Sequence, residues 1–208
     1  MNKDIFWDHT GYTAYSFNQD ELQFLHDAST DILNSPDNHI KWNSKLAGQI
    51  EKEYRLSDET TQQLNQLMLP WCHKYYDIFP RHPRSYNISD LPLKLKLDAA
   101  WINFQRKYEY NPLHTHSGLF SFVIWLQIPY LIGDEMNTPQ ARDSSDGGQP
   151  GGLTFYTISP LGKIQPSYVQ PNVNDAVLFP ADMAHSVSPF YTSDDYRISV
   201  SGNFIYDI

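Results

Sequence analysis

The hydrophobic pattern changes period near residue 95, and that change limits the folds open to the chain. Downstream of it, apolar and polar residues alternate in short runs divided by Gly, Pro, Asn and Asp. This is the pattern of half-buried strands joined by turns. Eight such runs are predicted as strands, at 97–106, 113–115, 119–128, 152–158, 167–170, 176–179, 184–189 and 197–205. No helical period interrupts them. A doubly wound sheet would need βα alternation and a Gly-rich phosphate loop, and the chain has neither. The spacing instead predicts a mainly β (α+β) chain, an antiparallel double-stranded β-helix of jelly-roll or cupin-like form. The aromatic excess, 14 Tyr, 11 Phe and 5 Trp, suits strands better than long helical bundles.

Upstream, two segments carry a 3.6-residue period. The first opens at Asn18-Gln19-Asp20-Glu21, places Leu22, Leu25, Ala28, Ile32 and Leu33 on one face, and closes at Asn34-Ser35-Pro36. The second starts at Ser57-Asp58-Glu59, a predicted N-cap with acids in the first turn, and carries Leu64, Leu67, Met68 and Trp71 up to Pro80. The chain is therefore expected to be one domain over 1–208. Residues 1–95 would be a helical support, and 96–208 the barrel core. One connection, 131–151, is too long and too polar for an ordinary turn. It reads as a solvated insert or a lid.

Composition removes several functions. Asp+Glu 24 against Lys+Arg 15 gives a net charge of −9, so nucleic acid is not an expected partner. A single cysteine, Cys72, excludes an internal disulfide framework and cysteine-ligated metals, and it fits a reducing, cytoplasmic setting. No run is long and apolar enough to span a membrane, and the first residues lack a signal-peptide pattern.

The chemistry-bearing residues lie in the strand region. In His114-Thr115-His116 the two imidazoles are at i and i+2 of an extended segment, so both point to one side. Neutral imidazole is a ligand for iron, zinc, copper and nickel. The turn after Phe179-Pro180 leads into His185, a third candidate ligand from a later hairpin. Arg197 and Ser199 share one face of the last strand. An inward guanidinium needs an anion, and its planar fork matches a carboxylate. The alternative for Arg197 is an exposed residue pairing with Asp194 or Asp195. For His185 it is an ordinary core histidine.

The ordered set His114-x-His116, Gly151-Gly152-Leu153-Thr154-Phe155, Phe179-Pro180, His185 and Arg197-x-Ser199 resembles the Fe(II)/2-oxoglutarate-dependent oxygenases. With Asn43-Ser44-Lys45-Leu46-Ala47-Gly48-Gln49-Ile50 and Trp101-Ile102-Asn103, it is similar to the small 2-oxoglutarate/iron hydroxylases of marine bacteria and their phages. The resemblance implies a dioxygenase using Fe(II), 2-oxoglutarate as cosubstrate and O2, with ascorbate admitted as an accessory reductant. The reaction it implies hydroxylates a C–H bond and releases succinate and CO2. The metal would be held by His114, His116 and His185, with Arg197 and Ser199 anchoring the 2-oxoglutarate carboxylate. Tyr108 and Trp125 would wall the cosubstrate pocket, with Asn103 and Gln105 as further pocket candidates. The departure from the family lies at His116, where a carboxylate normally stands. A second register makes His116 the first ligand and puts Gly118 at the acidic position.

Two rivals remain at this stage. A cupin-type metal protein that does not use 2-oxoglutarate would share the histidines. It lacks the glutamate expected after His-x-His, where Phe120 stands, and leaves Arg197-x-Ser199 unexplained. A non-catalytic jelly-roll would treat the whole set as coincidence. The expected partner is a protein, peptide or small-molecule substrate, with peptidyl prolyl hydroxylation the familiar case and a basic peptide suited to the acidic 131–151 segment.

Overall fold

Every predicted run downstream of residue 95 forms a strand in the computed structural model, which describes residues 3–7, 10–79, 94–142, 149–159 and 161–207. The strands are β4 (Leu95–Gln105), β5 (Asn111–His114), β6 (Phe120–Gln127), β7 (Leu153–Ile158), β8 (Ile164–Val169), β9 (Asp175–Pro180), β10 (His185–Val187) and β11 (Arg197–Tyr206). The two predicted helices are α1 (Gln19–Asn34) and α2 (Asp58–Ile78). Asn18 caps α1 in a capping box with Glu21, and Ser57 accepts the Thr60 N–H at the start of α2.

The N-terminal region is more than a helical support. It also supplies β1 (Lys3–Trp7), β2 (Thr10–Ser16) and β3 (Lys52–Arg55). These complete a seven-stranded antiparallel sheet, in the order β1-β2-β9-β6-β11-β4-β3, that faces a four-stranded sheet, β5-β10-β7-β8. The sequence hid β3 because Lys-Glu-Tyr-Arg is rich in charge, a composition that edge strands tolerate.

Alternation along the large sheet separates its two faces. Ile102, Val200 and Ile124 lie side by side on β4, β11 and β6, and all three are fully buried. They join Leu22, Leu25, Leu64 and Met68 beneath the helices. Each such side chain contributes about 1.5–3 kcal/mol of burial. The adjacent row, Glu53, Asn103, Ser199 and Trp125, crosses β3, β4, β11 and β6 on the opposite face. A second core of Tyr12, Phe155, Val177, Phe179 and Met183 packs between the sheets.

The 131–151 connection is not simply a solvated insert. It contains two helical turns, α3 (Ile132–Glu135) and α4 (Pro139–Arg142), where no helix was expected. Glu135 is fully buried. It accepts the backbone N–H groups of Tyr191 and Thr192, each at 2.8 Å, and the Thr192 hydroxyl. The polar composition that suggested a free loop therefore includes an internal anchor. The polar run Asp143-Ser144-Ser145-Asp146-Gly147-Gly148 of this connection lies outside the described residues.

A Cβ on Gly202 would sit 2.8 Å from the Phe122 ring and 2.9 Å from the Ala99 carbonyl oxygen. Gly202→Ala is expected to cost about 1–3 kcal/mol, seen as a lower urea midpoint at unchanged m-value. Burial, with Glu109 nearby, pushes the Glu53 carboxyl from 4.5 up to about 7. Between those two values the folded protein holds a proton that the unfolded chain releases. Its contribution is complete below the lower value and is lost as pH rises through the upper one. Glu53→Gln should therefore stabilise the protein at pH 8, by up to about 3 kcal/mol, and change little at pH 4. Equal gains at both pH values in denaturant melts would contradict this origin.

Candidate active site

Strand pairing assembles the three histidines. His185 opens β10 directly opposite His114 on β5. His116 follows β5, and its backbone N–H is held 2.7 Å from the Ala181 carbonyl in the β9–β10 connection. Met183 N–H closes that turn on Pro180 O at 2.9 Å. The result is a cluster in which ring nitrogens of His114, His116 and His185 lie within 4.8 Å of one another. Ring centroids are 4.3 Å apart for His114–His185 and 5.0 Å for His116–His185.

The protonation chemistry suits metal binding. His114 Nδ1 lies 2.6 Å from Pro112 O, and His185 Nδ1 lies 2.8 Å from Met183 O. A carbonyl can only accept, so each Nδ1 carries the proton and donates, which leaves Nε2 free to coordinate. Burial lowers all three imidazoles, helped at His116 and His185 by the neighbouring rings. His116 falls to about 4 and His185 to about 3. All three are therefore neutral near pH 7, the form in which an imidazole can bind a metal. Trp101 packs against His116 and Phe179 against His185, with centroids at 5.8 and 4.9 Å.

Gly118, the acidic position of the second register, is a site that only glycine fits. It has φ of +109°, and a Cβ there would meet the Phe204 carbonyl oxygen at 2.8 Å. The fold brings His114, His116 and His185 together.

Between the sheets runs a cavity lined by the three histidines, Trp125, Arg197 and Ser199 among others. Arg197 is only 2% exposed. One guanidinium nitrogen donates to Gly151 O at 2.6 Å and Tyr130 Oη at 3.2 Å, and another donates to Gln105 Oε1. Each of these acceptors is neutral. A desolvated cation with neutral partners is incomplete until an anion joins it, which fits the distal carboxylate of 2-oxoglutarate. The alternative, an exposed Arg197 pairing with Asp194 or Asp195, does not hold: Arg197 is buried, and Asp194 binds Lys107. Ser199 Oγ accepts from Asn103 Nδ2 at 3.2 Å.

Tyr108 is the expectation that the fold overturns. It adopts φ of 70° in the turn after β4 and is 59% exposed, with its ring against Tyr191. That turn directs it out of the cavity, so it cannot wall a cosubstrate. Tyr130, in contrast, was missed. It lies beyond the end of β6, donates to Gly151 O at 2.7 Å and stacks on Phe190. No local motif marks it. Its role depends on a contact with Arg197 across 67 residues of sequence.

A family model described as "Putative 2OG-Fe(II) oxygenase" matches residues 99–203, about half of the chain and all of the strands that carry the cavity residues named above. No curated protein matches in sequence. Among solved structures, a Pseudomonas putida prolyl-4-hydroxylase aligns with TM-score 0.56 at 13% identity, over 94% of this chain and 92% of that one. A Trichoplax adhaerens prolyl hydroxylase, solved with a hypoxia inducible factor oxygen degradation domain peptide, gives 0.52 at 10% identity over 95% and 83%. The α-ketoglutarate-dependent carbocyclase SnoK from nogalamycin biosynthesis gives 0.52 at 14% over 97% and 81%. At these identities the structural likeness is one of fold. The family match covers the same segment that supplies three clustered imidazoles and a buried arginine awaiting an anion. The chain belongs to the 2OG-Fe(II) oxygenases, oxidoreductases that work with Fe(II), 2-oxoglutarate and O2.

Proposed function

We propose that this oxygenase hydroxylates a C–H bond of a peptidyl residue, prolyl in the leading case, with release of succinate and CO2. The observation that carries the cosubstrate assignment is Arg197, a buried guanidinium with neutral partners in the same cavity as the three histidines. A cupin that does not use 2-oxoglutarate has no need of that arrangement. The peptidyl substrate draws support from the two prolyl hydroxylases with the same fold, one of them solved with a peptide.

Iron and 2-oxoglutarate, when bound, supply the oxidation: decarboxylation of the keto acid accompanies reduction of O2, and one oxygen atom enters the substrate. The chain's own residues hold and shape that chemistry. His114, His116 and His185 are the metal ligands in this reading. Because all three are neutral, the metal keeps its full double charge, where a carboxylate ligand would reduce it. Arg197 takes the distal carboxylate of 2-oxoglutarate, with Ser199 as a second donor and Trp125 as a wall. Gln105 and Tyr130 hold the guanidinium in place, so the anion meets a donor already oriented. Phe155 and Phe179 close the inter-sheet side against water. The buried thiol of Cys72 is consistent with a cytoplasmic setting.

Anaerobic addition of Fe(II) and 2-oxoglutarate is expected to produce a visible metal-to-ligand band. His185→Ala should abolish it, and a variant that keeps the band would remove His185 from the ligand set. Arg197→Ala is expected to weaken 2-oxoglutarate binding by about 3 kcal/mol, roughly a hundredfold, while sparing metal affinity. Equal loss of both would count against the anchoring role. Succinate release with proline-containing peptides, and the mass gain of one oxygen atom on the peptide, tests the substrate class.

A further inference from the structure

The β3–β4 side of the cavity has a polar character opposite to that of Arg197. Glu53 on β3 is fully buried and faces its cross-strand neighbour Asn103. One of its oxygens accepts from Asn43 Nδ2 at 3.2 Å, and the other, Oε1, has no donor. Asn103 Oδ1 and Asn111 Oδ1 are likewise buried without a donor, and both residues line the cavity. Gly48 brings two of these oxygens to one point. A Cβ added there would lie 2.7 Å from Asn111 Oδ1 and 3.1 Å from Glu53 Oε1.

The cosubstrate cannot satisfy this group. Above about pH 7, where Glu53 is ionised, these protein atoms are all acceptors, and the 2-oxoglutarate dianion carries only acceptor oxygens too. Turning over an amide would exchange its oxygen for nitrogen, yet it would supply no positive charge. No ion pair to Glu53 is present among the described residues. What completes the site is a ligand rich in N–H donors and carrying positive charge.

We infer that Glu53, Asn103 and Asn111, beneath residues 46–50, form a subsite for a cationic nitrogen group of the substrate, a guanidinium or an ammonium. The inference rests on the oxygenase reading, with 2-oxoglutarate at Arg197 and substrate in the remainder of the cavity. Two further facts agree with it. The chain's net charge of −9 favours approach of a basic substrate. Burial and the nearby Glu109 hold the Glu53 carboxyl up at about 7, and a bound cation would favour its charged form. Buried groups of this kind concentrate at functional sites.

The test uses two probes of equal shape, n-butylguanidinium and neutral n-butylurea, titrated calorimetrically into protein loaded with Fe(II) and 2-oxoglutarate under argon. The guanidinium is expected to bind about tenfold more tightly than the urea. Glu53→Gln should bring the two to parity while the visible band of the 2-oxoglutarate complex persists. Gly48→Ala, which places a methyl against the same oxygens, should weaken the guanidinium as well. Equal binding of the two probes to the unaltered protein overturns the subsite, and so does a guanidinium preference that survives in Glu53→Gln. Calcium ion bound by the unaltered protein in place of the guanidinium, and lost in Glu53→Gln, would also overturn it by assigning the oxygens to a metal. A protein that keeps the band but treats the probes alike loses the subsite and leaves the role of Arg197 standing.

Discussion

The pairing of β11 with β4 on one side and β6 on the other is the constraint on which the site depends. It fixes which residues stand in rows across the large sheet. A one-residue slip in any of these strands would exchange the faces, sending Asn103, Ser199 and Trp125 into the helical core and Ile102, Val200 and Ile124 into the cavity. The apolar row is fully buried beneath α1 and α2, so the slip would be strongly disfavoured. The cavity is thus positioned indirectly: the helices hold the apolar face, and the polar face follows.

A second register, of β10 against β5, does for the histidine cluster what β11 does for the Arg197 end of the cavity. It is short, and one pair, His185 with His114, aligns two of the clustered imidazoles. The β9–β10 turn assists by holding His116 through Ala181 and the His185 ring through Met183. The site therefore stands at the seam between two sheets, with Arg197 on the large sheet and the histidines on the small one. Glu135 adds a further tie. By accepting the N–H groups of Tyr191 and Thr192, it fastens the long connection next to the segment that leads into Arg197.

Much of this was legible in the sequence because its signals are local. Period-two runs marked all eight downstream strands. The i, i+2 spacing put His114 and His116 on one side, and alternation paired Arg197 with Ser199. The parts that were not legible depend on contacts between distant segments. Tyr130 and Gln105 matter through their bonds to Arg197, and neither sits in a motif. Tyr108 looked like a pocket aromatic from its place near the histidines, but a left-handed turn points it to solvent. The edge strand β3 was hidden by its charges, although one of them, Glu53, proves to be buried.

The amino-acid sequence by itself determined the strand-rich fold class, the two supporting helices and the candidate histidines and arginine, because side-chain periodicity and turn residues act over a few positions. Only the tertiary structure decided the clustering of the three histidines, the neutral surroundings of Arg197 and the donor-poor group around Glu53. Each depends on which strands lie side by side and on what burial does to a charged group once water is removed. Neither property is written in any short stretch of chain.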